Sequence, residues 1–215
     1  LQDSLSLVFS SPETVRRHII RCASHQYEDG SVMHWWHTRN FGGVNRGIKS
    51  KCSDDLLYLP IVVADYIEKT DDESILHLPV HYLVSDDLGE HNERYEQPEK
   101  SDIKESIFLH CLRALARADR RGKNGLLLMG SCDWNDGFSH FGEKGLGESV
   151  LNAMQYVYVY ESFIPLMRMK SDSDAAFFEA EAKKLRKATE KCFETDRFIR
   201  AYGDNGEKLG SVDCE

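Results

Sequence analysis

The fold class is decided by residues 148–169, ESVLNAMQYVYVYESFIPLMRM, and by residues 174–193, DAAFFEAEAKKLRKATEKCF. The first stretch is predicted to form a helix. The second is rich in Ala, Glu and Lys, which are strong helix formers. Because only a short loop separates the two predicted helices, we expect them to pack as an antiparallel hairpin.

Three further helices are predicted towards the N-terminus. They cover residues 12–27, the apolar run from Ser53-Asp54-Asp55 to about Lys69, and the amphipathic segment from Ile103 to Leu115. Residues 28–53, which include Phe41-Gly42-Gly43, and residues 85–101 are predicted as long loops, and only residues 198–202 are predicted as a strand. Five helices with little strand signal predict a mainly α chain of antiparallel helical hairpins with few short strands.

The composition is that of a folded globular protein and excludes several functions. Hydrophobic residues make up 41% and charged residues 29%, while 36 acidic against 27 basic side chains give a net charge of −9. An acidic chain without a basic patch argues against nucleic acid as a partner and is compatible with a neutral sugar. The sequence has neither an apolar run of about 18 residues nor a signal peptide at its start, so we expect a cytoplasmic protein without a membrane span.

The six dispersed cysteines form no CxxC pair and are expected to be free thiols.

The segment Gly130-Ser131-Cys132-Asp133-Trp134-Asn135-Asp136-Gly137 has the most unusual composition in the chain. Trp offers a flat apolar face to a sugar ring, while Asp and Asn form directional hydrogen bonds with hydroxyl groups. A carboxyl group beside an indole also loses solvation, which raises its pKa towards the range of a general acid. The competing interpretation is a turn rich in Asp and Asn that contains a core Trp.

This segment resembles the acid-bearing loop of glycoside hydrolase family 94, the family of cellobiose and chitobiose phosphorylases and cyclic β-1,2-glucan synthases. Similar stretches follow the family pattern in the same order along the chain: His34-Trp35-Trp36-His37, Arg46-Gly47, Ser53-Asp54-Asp55-Leu56-Leu57, Glu93-Arg94-Tyr95, His110-Cys111, Gly125-Leu126, Leu128-Met129-Gly130, Gly145, Gly147-Glu148-Ser149, Phe198, Arg200-Ala201-Tyr202 and Leu209-Gly210-Ser211. The resemblance covers almost the whole chain. It implies part of an (α/α)6 barrel and the inverting phosphorolysis of a β-linked glucoside.

The resemblance assigns the acid that protonates the departing sugar oxygen to Asp136. Trp134 is then expected to stack on the sugar, Asn135 to bind it, and Asp133 to be a structural or sugar-binding neighbour. Phosphate is itself a nucleophile, so a second catalytic carboxylate is unnecessary. No metal and no cofactor are expected, and inorganic phosphate is the co-substrate.

Further substrate contacts are predicted, each with a plain structural alternative. They are Asp54, Asp55, Arg46, Trp36 and His37. One of the two aspartates is expected only to cap a helix. For Arg46, the alternative is an ordinary surface ion pair. Lys49 and Lys51 stand where the family usually has Arg, and Lys lacks the planar fork that holds a sugar diol or a phosphate. The spacing of His34 and His37 suits a metal on a helix, but no third ligand lies nearby in the sequence. Glu148 is expected at the start of a helix, where the helix dipole favours an acidic side chain. Cys132 is expected to be a small packing residue and not a nucleophile.

Residues 1–215 are predicted to form a single, partial catalytic domain of a longer chain. The resemblance implies that the phosphate-binding segments lie C-terminal to residue 215, and that a homodimer partner or the missing part of a barrel covers exposed helix faces. A noncatalytic remnant that binds glycans or a partner is the second hypothesis. The third is an inverting hydrolase, which requires a second carboxylate about 6.5–9.5 Å from the acid.

Overall fold

The computed structural model describes residues 1–38, 44–138 and 141–214. The helices are α1 (Pro12–Ala23), α2 (Asp55–Thr70), α3 (Ile107–Ala118), α4 (Val150–Arg168) and α5 (Asp172–Glu190). The strands are β1 (Met33–Trp36), β2 (Gly47–Ser50), β3 (Pro79–Val84), β4 (Glu93–Glu96), β5 (Glu99–Ser106), β6 (Leu127–Leu128), β7 (Glu148–Ser149), β8 (Phe193–Glu194), β9 (Arg197–Phe198), β10 (Ala201–Tyr202) and β11 (Lys208–Leu209). The predicted loop feature Phe41-Gly42-Gly43 lies outside the described residues.

The prediction of a mainly α chain, built as part of an (α/α)6 barrel from antiparallel helical hairpins with few short strands, is wrong. Helix, with its 3-10 turns, takes up 44% of the structure, and strands with isolated bridges take up 21%. The strands form several antiparallel sheets. The five predicted helices do occur near their expected places. Of the expected helical hairpins, α4 and α5 form one, joined by a short turn and packed against each other along their length.

The strands were missed because several of them lack apolar alternation. Strand β5 reads EKSDIKES and is mostly exposed, yet it pairs in antiparallel register with the apolar strand β3 from Pro79↔Ser106 to Val84↔Glu99. Backbone pairing with an apolar partner holds such a strand in the sheet, although its own side chains face water. For this reason Ile103 lies in β5, and α3 begins at Ile107, four residues later than the predicted segment.

The chain divides into two compact units. The first contains Leu1–Lys51 and Tyr58–Arg117, and the second contains Cys52–Leu57 and Ala118–Glu215. In the first unit, β1, β2 and β4 form one antiparallel sheet, and β3 and β5 form another. In the second, the antiparallel strands lie in the order β11-β10-β7-β6.

The core of the second unit comes mainly from α4 and α5, together with the small sheet. The fully buried side chains of α4 include Tyr156 and Phe163, and Leu185 is fully buried on α5. The ring of Tyr160 packs edge-on against those of Tyr156 and Phe178, with centroids 4.5 and 5.0 Å away. Burial of several aromatic rings stabilises this hairpin far more than intrinsic helix propensity does.

No helix in the described part of the chain is both long enough and apolar enough to cross a membrane.

Candidate functional site

The loop that carries Asp136 begins where β6 ends. Gly130 has a φ of 68°, a left-handed conformation in which a side chain would be strained, and it forms a bridge with Cys52. Residues Asp136–Phe138 then make one turn of 3-10 helix. We refer to residues 130–138 as the acid loop.

The buried side chain of Asp133 anchors the acid loop. Arg200 donates two hydrogen bonds to its two carboxylate oxygens, each 2.7 Å long, and the Ser149 hydroxyl donates a third of 2.5 Å. The backbone N–H of Asn135 donates a fourth at 3.0 Å. Burial opposes ionisation of Asp133, but the hydrogen bonds from Arg200, Ser149 and the Asn135 backbone outweigh it and hold the pKa of this carboxyl below its usual value. Asp133 is therefore a charged internal anchor.

Arg200 contacts the acid loop at two points. Its guanidinium pairs with Asp133, and its Cζ also lies 4.6 Å from the ring centroid of Phe138. Between β9 and β10, its own backbone N–H donates to the carbonyl of Leu209 at 2.7 Å. One side chain thus holds both sides of the segment that carries Asp136.

Ser149 connects the same anchor to helix α4. Its hydroxyl oxygen accepts a hydrogen bond from the backbone N–H of Asn152 at 3.0 Å, so Ser149 caps the helix while donating to Asp133. The side-chain amide of Asn152 in turn donates to Ser53 Oγ at 2.6 Å, and that hydroxyl donates to the carbonyl of Cys132 at 3.1 Å. Helix α4, the segment before α2 and the acid loop therefore share one hydrogen-bonded network.

The expectation of six free thiols is wrong, because Cys52 and Cys132 form a disulfide. The two residues are separated by 80 positions in the sequence, yet their Cα atoms lie 4.8 Å apart. The Cys52–Gly130 bridge and a hydrogen bond from the Ser53 N–H to the Cys132 carbonyl bring them together. Among the described residues, Cys22, Cys111, Cys192 and Cys214 are free.

The three residues after Asp133 are exposed. The Trp134 side chain has an exposed fraction of 57%, and Asn135 and Asp136 are exposed as well. Asn135 Oδ1 accepts the backbone N–H of Gly137 at 3.0 Å, which fixes the turn at the position of Asp136. An indole, an amide and a carboxyl group therefore share the outer side of a loop with a rigid inner side.

Two other predicted contact residues belong to the second unit. Asp54 is buried, and its Oδ1 lies 3.6 Å from the Cys52 Sγ. Asp55 is half-buried and is the first residue of α2. The disulfide ties the segment containing both to the acid loop.

The remaining predicted residues lie in the first unit. Trp36 stacks on the His25 ring with centroids 4.0 Å apart, and the exposed His37 meets the Trp35 ring edge-on at 5.1 Å. Arg46 is exposed, with its Cζ 5.9 Å from the ring centroid of Tyr95. His34 lies on a strand, so the helical spacing considered for a metal does not apply.

Both lysines at the expected arginine positions contact the loop between β3 and β4. Lys49 is buried, and its ammonium donates to Ser85 Oγ and to the Asp86 carbonyl at 3.1 Å each. Lys51 donates to the carbonyl of Gly89 at 2.7 Å. These lysines hold that loop in place.

Glu148 lies in β7, directly before Ser149, the N-cap residue of α4, and its side chain is buried. Its carboxylate accepts the backbone N–H groups of Asn124 and Leu126 and the side-chain amide of Asn124, at 2.6–3.2 Å. Glu148 thus closes the turn before β6 and has a structural role.

The model of the glycosyl hydrolase 94 superfamily catalytic domain matches residues 1–215. The chain therefore belongs to this superfamily.

Curated relatives include both a cyclic glucan synthase and phosphorylases. The cyclic beta-(1,2)-glucan synthase NdvB of Rhizobium meliloti is 34% identical over 99% of this chain, which covers 8% of that protein. The 3-O-beta-D-glucopyranosyl-beta-D-glucuronide phosphorylase of Paenibacillus borealis is 26% identical over 100% of this chain and 26% of its own length. The N,N'-diacetylchitobiose phosphorylase of Vibrio furnissii is 23% identical over 99% of this chain and 27% of its own length. The chain thus spans about a quarter or less of the relatives it matches.

Sequence reasoning did not identify the supports of the acid loop. Arg200 and Ser149 each lie in a stretch that resembles the family pattern. An Arg in a short apolar strand segment and a Ser before a long helix were the available signals, but neither indicates which carboxylate it contacts.

Proposed function

We propose that this chain supplies the general acid of an inverting phosphorylase, which reversibly cleaves a β-linked glucose disaccharide or oligosaccharide to a sugar 1-phosphate. The observation that carries the proposal is the position of Asp136, an exposed carboxyl group on a loop whose inner side is fixed by the Asp133–Arg200 pair. Membership of the glycosyl hydrolase 94 superfamily supports this assignment.

In the proposed reaction, the Asp136 carboxylic acid donates its proton to the glycosidic oxygen as the bond to the anomeric carbon breaks. Inorganic phosphate attacks that carbon from the opposite face, which inverts its configuration. In the synthetic direction, the Asp136 carboxylate takes the proton from the acceptor hydroxyl. Phosphate is the co-substrate, and no metal or cofactor takes part.

The supports of the acid loop suit this chemistry. General acid catalysis requires the donor to lie within hydrogen-bond reach of the sugar oxygen, and a displacement of about 1 Å is enough to slow such a step strongly. Trp134 is proposed to stack on the sugar, and Asn135, Asp54 and Asp55 to bind its hydroxyl groups. The substrate contacts of Trp36, His37 and Arg46 stay predictions.

The state of Asp133 argues against this residue as the base of an inverting hydrolase. An inverting hydrolase needs a carboxylate that can activate water. Both oxygens of Asp133 accept hydrogen bonds from Arg200, and the side chain is fully buried. Asp133 is therefore poorly suited to serve as that base.

The proposed substrates follow the names of the relatives. A β-1,2-linked glucose disaccharide is one candidate, because the relative with 34% identity is a cyclic beta-(1,2)-glucan synthase. Cellobiose follows the family resemblance, and a glucosyl glucuronide and N,N'-diacetylchitobiose follow the names of the two phosphorylases compared above. Cytoplasmic location and a homodimer stay predictions.

The test is the release of sugar 1-phosphate from this panel with inorganic phosphate, using the complete protein that contains residues 1–215, as the wild type and as Asp136→Asn. We expect phosphate-dependent release from one member of the panel and its loss, by at least about 100-fold in kcat, in the variant. Asp172→Asn is the matched control, because Asp172 is an exposed carboxyl group at the start of α5. Its activity should equal that of the wild type.

Other outcomes separate the alternatives. Release of free sugar without phosphate would identify a hydrolase. Sugar binding without turnover would identify a noncatalytic glycan-binding protein. Full activity of Asp136→Asn would show that another group is the acid.

A further inference from the structure

A sulfur pair lies directly beside the proposed acid. The Sγ atoms of Cys52 and Cys132 and a carboxylate oxygen of Asp136 all lie within 4.8 Å of one another. The Oδ1 of the buried Asp54 lies 3.6 Å from the Cys52 Sγ. Two sulfur atoms and at least one carboxylate therefore converge within the second unit.

The disulfide controls which ligand atoms this cluster offers. In the oxidised form, the sulfur atoms are bonded to each other and carry no charge available to a cation. Two molecules of a small thiol reduce the bond: they become one disulfide, and their two electrons and two protons convert Cys52 and Cys132 into thiols. Thiolates are strong ligands for zinc, whereas a disulfide is a poor one.

We propose that the reduced protein binds a thiophilic divalent cation, Zn²⁺ in particular, through Cys52, Cys132 and Asp136. The oxidised protein lacks this site, so the redox state of one cysteine pair determines whether the cation binds. On binding, each thiol releases its proton to solvent and both sulfur atoms coordinate the metal.

The distances suit one small cation. Zinc lies about 2.3 Å from a thiolate sulfur and about 2.0–2.2 Å from a carboxylate oxygen, so neighbouring ligand atoms of a tetrahedral site are about 3.5–3.8 Å apart. After reduction the sulfur atoms move apart, and the Asp136 carboxylate needs to approach them by about 1 Å at most. Asp136 is exposed on a single 3-10 turn, so rotation of its side chain allows this approach. Water completes the coordination.

The local charges favour a cation over bare thiolates. The carboxyl groups of Asp54 and Asp136 lie close to both sulfur atoms, and like charges at such short distances oppose the formation of two bare thiolates. A divalent cation compensates this charge in a partly buried setting, where electrostatic interactions are stronger than in water. The same carboxylates therefore disfavour free thiolates and favour the metal-bound form.

The consequence for activity rests on the proposed function. A carboxylate that coordinates zinc cannot carry the proton for the departing sugar oxygen, so the cation would inhibit the reduced enzyme and spare the oxidised one. The cation is an inhibitor in this scheme and takes no part in phosphorolysis.

The experiment measures metal binding directly. The protein is reduced with a phosphine, which takes up the oxygen of water as the disulfide gains two electrons and two protons, and is freed of reductant without access to air. It is then titrated with Co²⁺, a spectroscopic substitute for Zn²⁺, and with Zn²⁺ against a chromophoric chelator. We expect one equivalent of tightly bound metal in the reduced protein, with thiolate-to-cobalt charge-transfer bands, and none in the oxidised protein.

Three variants test the ligands. Cys52→Ser and Cys132→Ser should each abolish the charge-transfer signal of the tight site. Asp136→Asn should keep both thiols but weaken Zn²⁺ binding by at least about tenfold, since even loss of a group that only orients a ligand costs about 10–100-fold. Cys214→Ser removes an exposed thiol outside the cluster and should bind as the wild type does. Thermal unfolding of each variant shows whether it is folded.

The proposal is overturned if oxidised and reduced protein bind the metal equally, or if Cys214→Ser abolishes binding. Unchanged affinity in folded Asp136→Asn would refute Asp136 as a ligand. These measurements contain no sugar and no phosphate, so their failure is distinguishable from a failure of the proposed phosphorylase activity.

Discussion

Replacement of Arg200 by Met tests whether the buried ion pair supports the acid loop. The substitution removes two hydrogen bonds of 2.7 Å and leaves the fully buried Asp133 without its cation. Breaking one side of a buried pair lowers the free energy of unfolding by about 3–5 kcal/mol, whereas an exposed pair contributes at most about 1 kcal/mol. We therefore expect the free energy of unfolding of Arg200→Met, measured by urea denaturation at pH 7, to fall by about 3–5 kcal/mol. The additional substitution Asp133→Asn should restore part of it, because no unpaired charge then stays buried.

The pH dependence provides the second part of this test. In the wild type, the pKa of Asp133 is lowered, so its contribution to stability is present above the unfolded pKa of about 3.9 and is lost as the pH falls through the folded value. In Arg200→Met, burial without a cation raises the pKa of this carboxyl. The stability gap between the two proteins should therefore narrow as the pH falls from 7 to 5.

Arg197→Met serves as the control for this substitution. Arg197 pairs with Asp196 on the surface, where both side chains are more than half exposed. We expect no measurable change in its unfolding. A loss below about 1 kcal/mol in Arg200→Met, or a gap independent of pH, would refute the role of the pair as a buried anchor.

Three further substitutions or treatments test the supports of the second unit. Ser149→Ala should lower the free energy of unfolding by about 1–2 kcal/mol, because it removes a helix cap, and Ser171→Ala, at the more exposed cap of α5, should lower it less in the same urea assay. Reduction of the disulfide between Cys52 and Cys132 should lower the stability by up to about 4 kcal/mol, since the loop it closes is long, and a thermal shift without and with reductant measures this. Glu148→Gln should cost about 1–3 kcal/mol in urea unfolding, because an amide nitrogen cannot accept the N–H groups that the carboxylate accepts; an unchanged midpoint would contradict the role of this side chain in closing the turn.

Helices were predictable from the sequence because their signals are local. The apolar run that became α2 and the Ala-rich run that became α5 lie close to their predicted bounds. Strand β5 could not be predicted in this way, since its polar side chains give no alternation and its pairing partner β3 lies elsewhere in the sequence. Local patterns carry helix information, whereas pairing depends on distant residues.

The candidate site shows the same division between local and distant information. The Asp-Trp-Asn-Asp sequence identified the loop, and the exposure of Trp134 and Asp136 agrees with side chains that can meet a ligand. The sequence did not reveal that Asp133 pairs with a residue 67 positions away, or that Cys52 joins Cys132 across 80 positions. Contacts between distant residues form only in the folded chain, and the local pattern of a single sequence does not predict them.

The two-point contact of Arg200 separates stability from chemistry within one short loop. The residues that hold the loop, Asp133 and Phe138, face Arg200, while Trp134, Asn135 and Asp136 lie between them on the exposed side. Substitutions of Trp134 and Asp136 remove none of the hydrogen bonds between Arg200 and Asp133, whereas Asn135 also holds the turn through its bond to the Gly137 N–H. Such a loop can acquire new substrate preferences by exchange of its outer side chains, with little penalty to the fold that carries it.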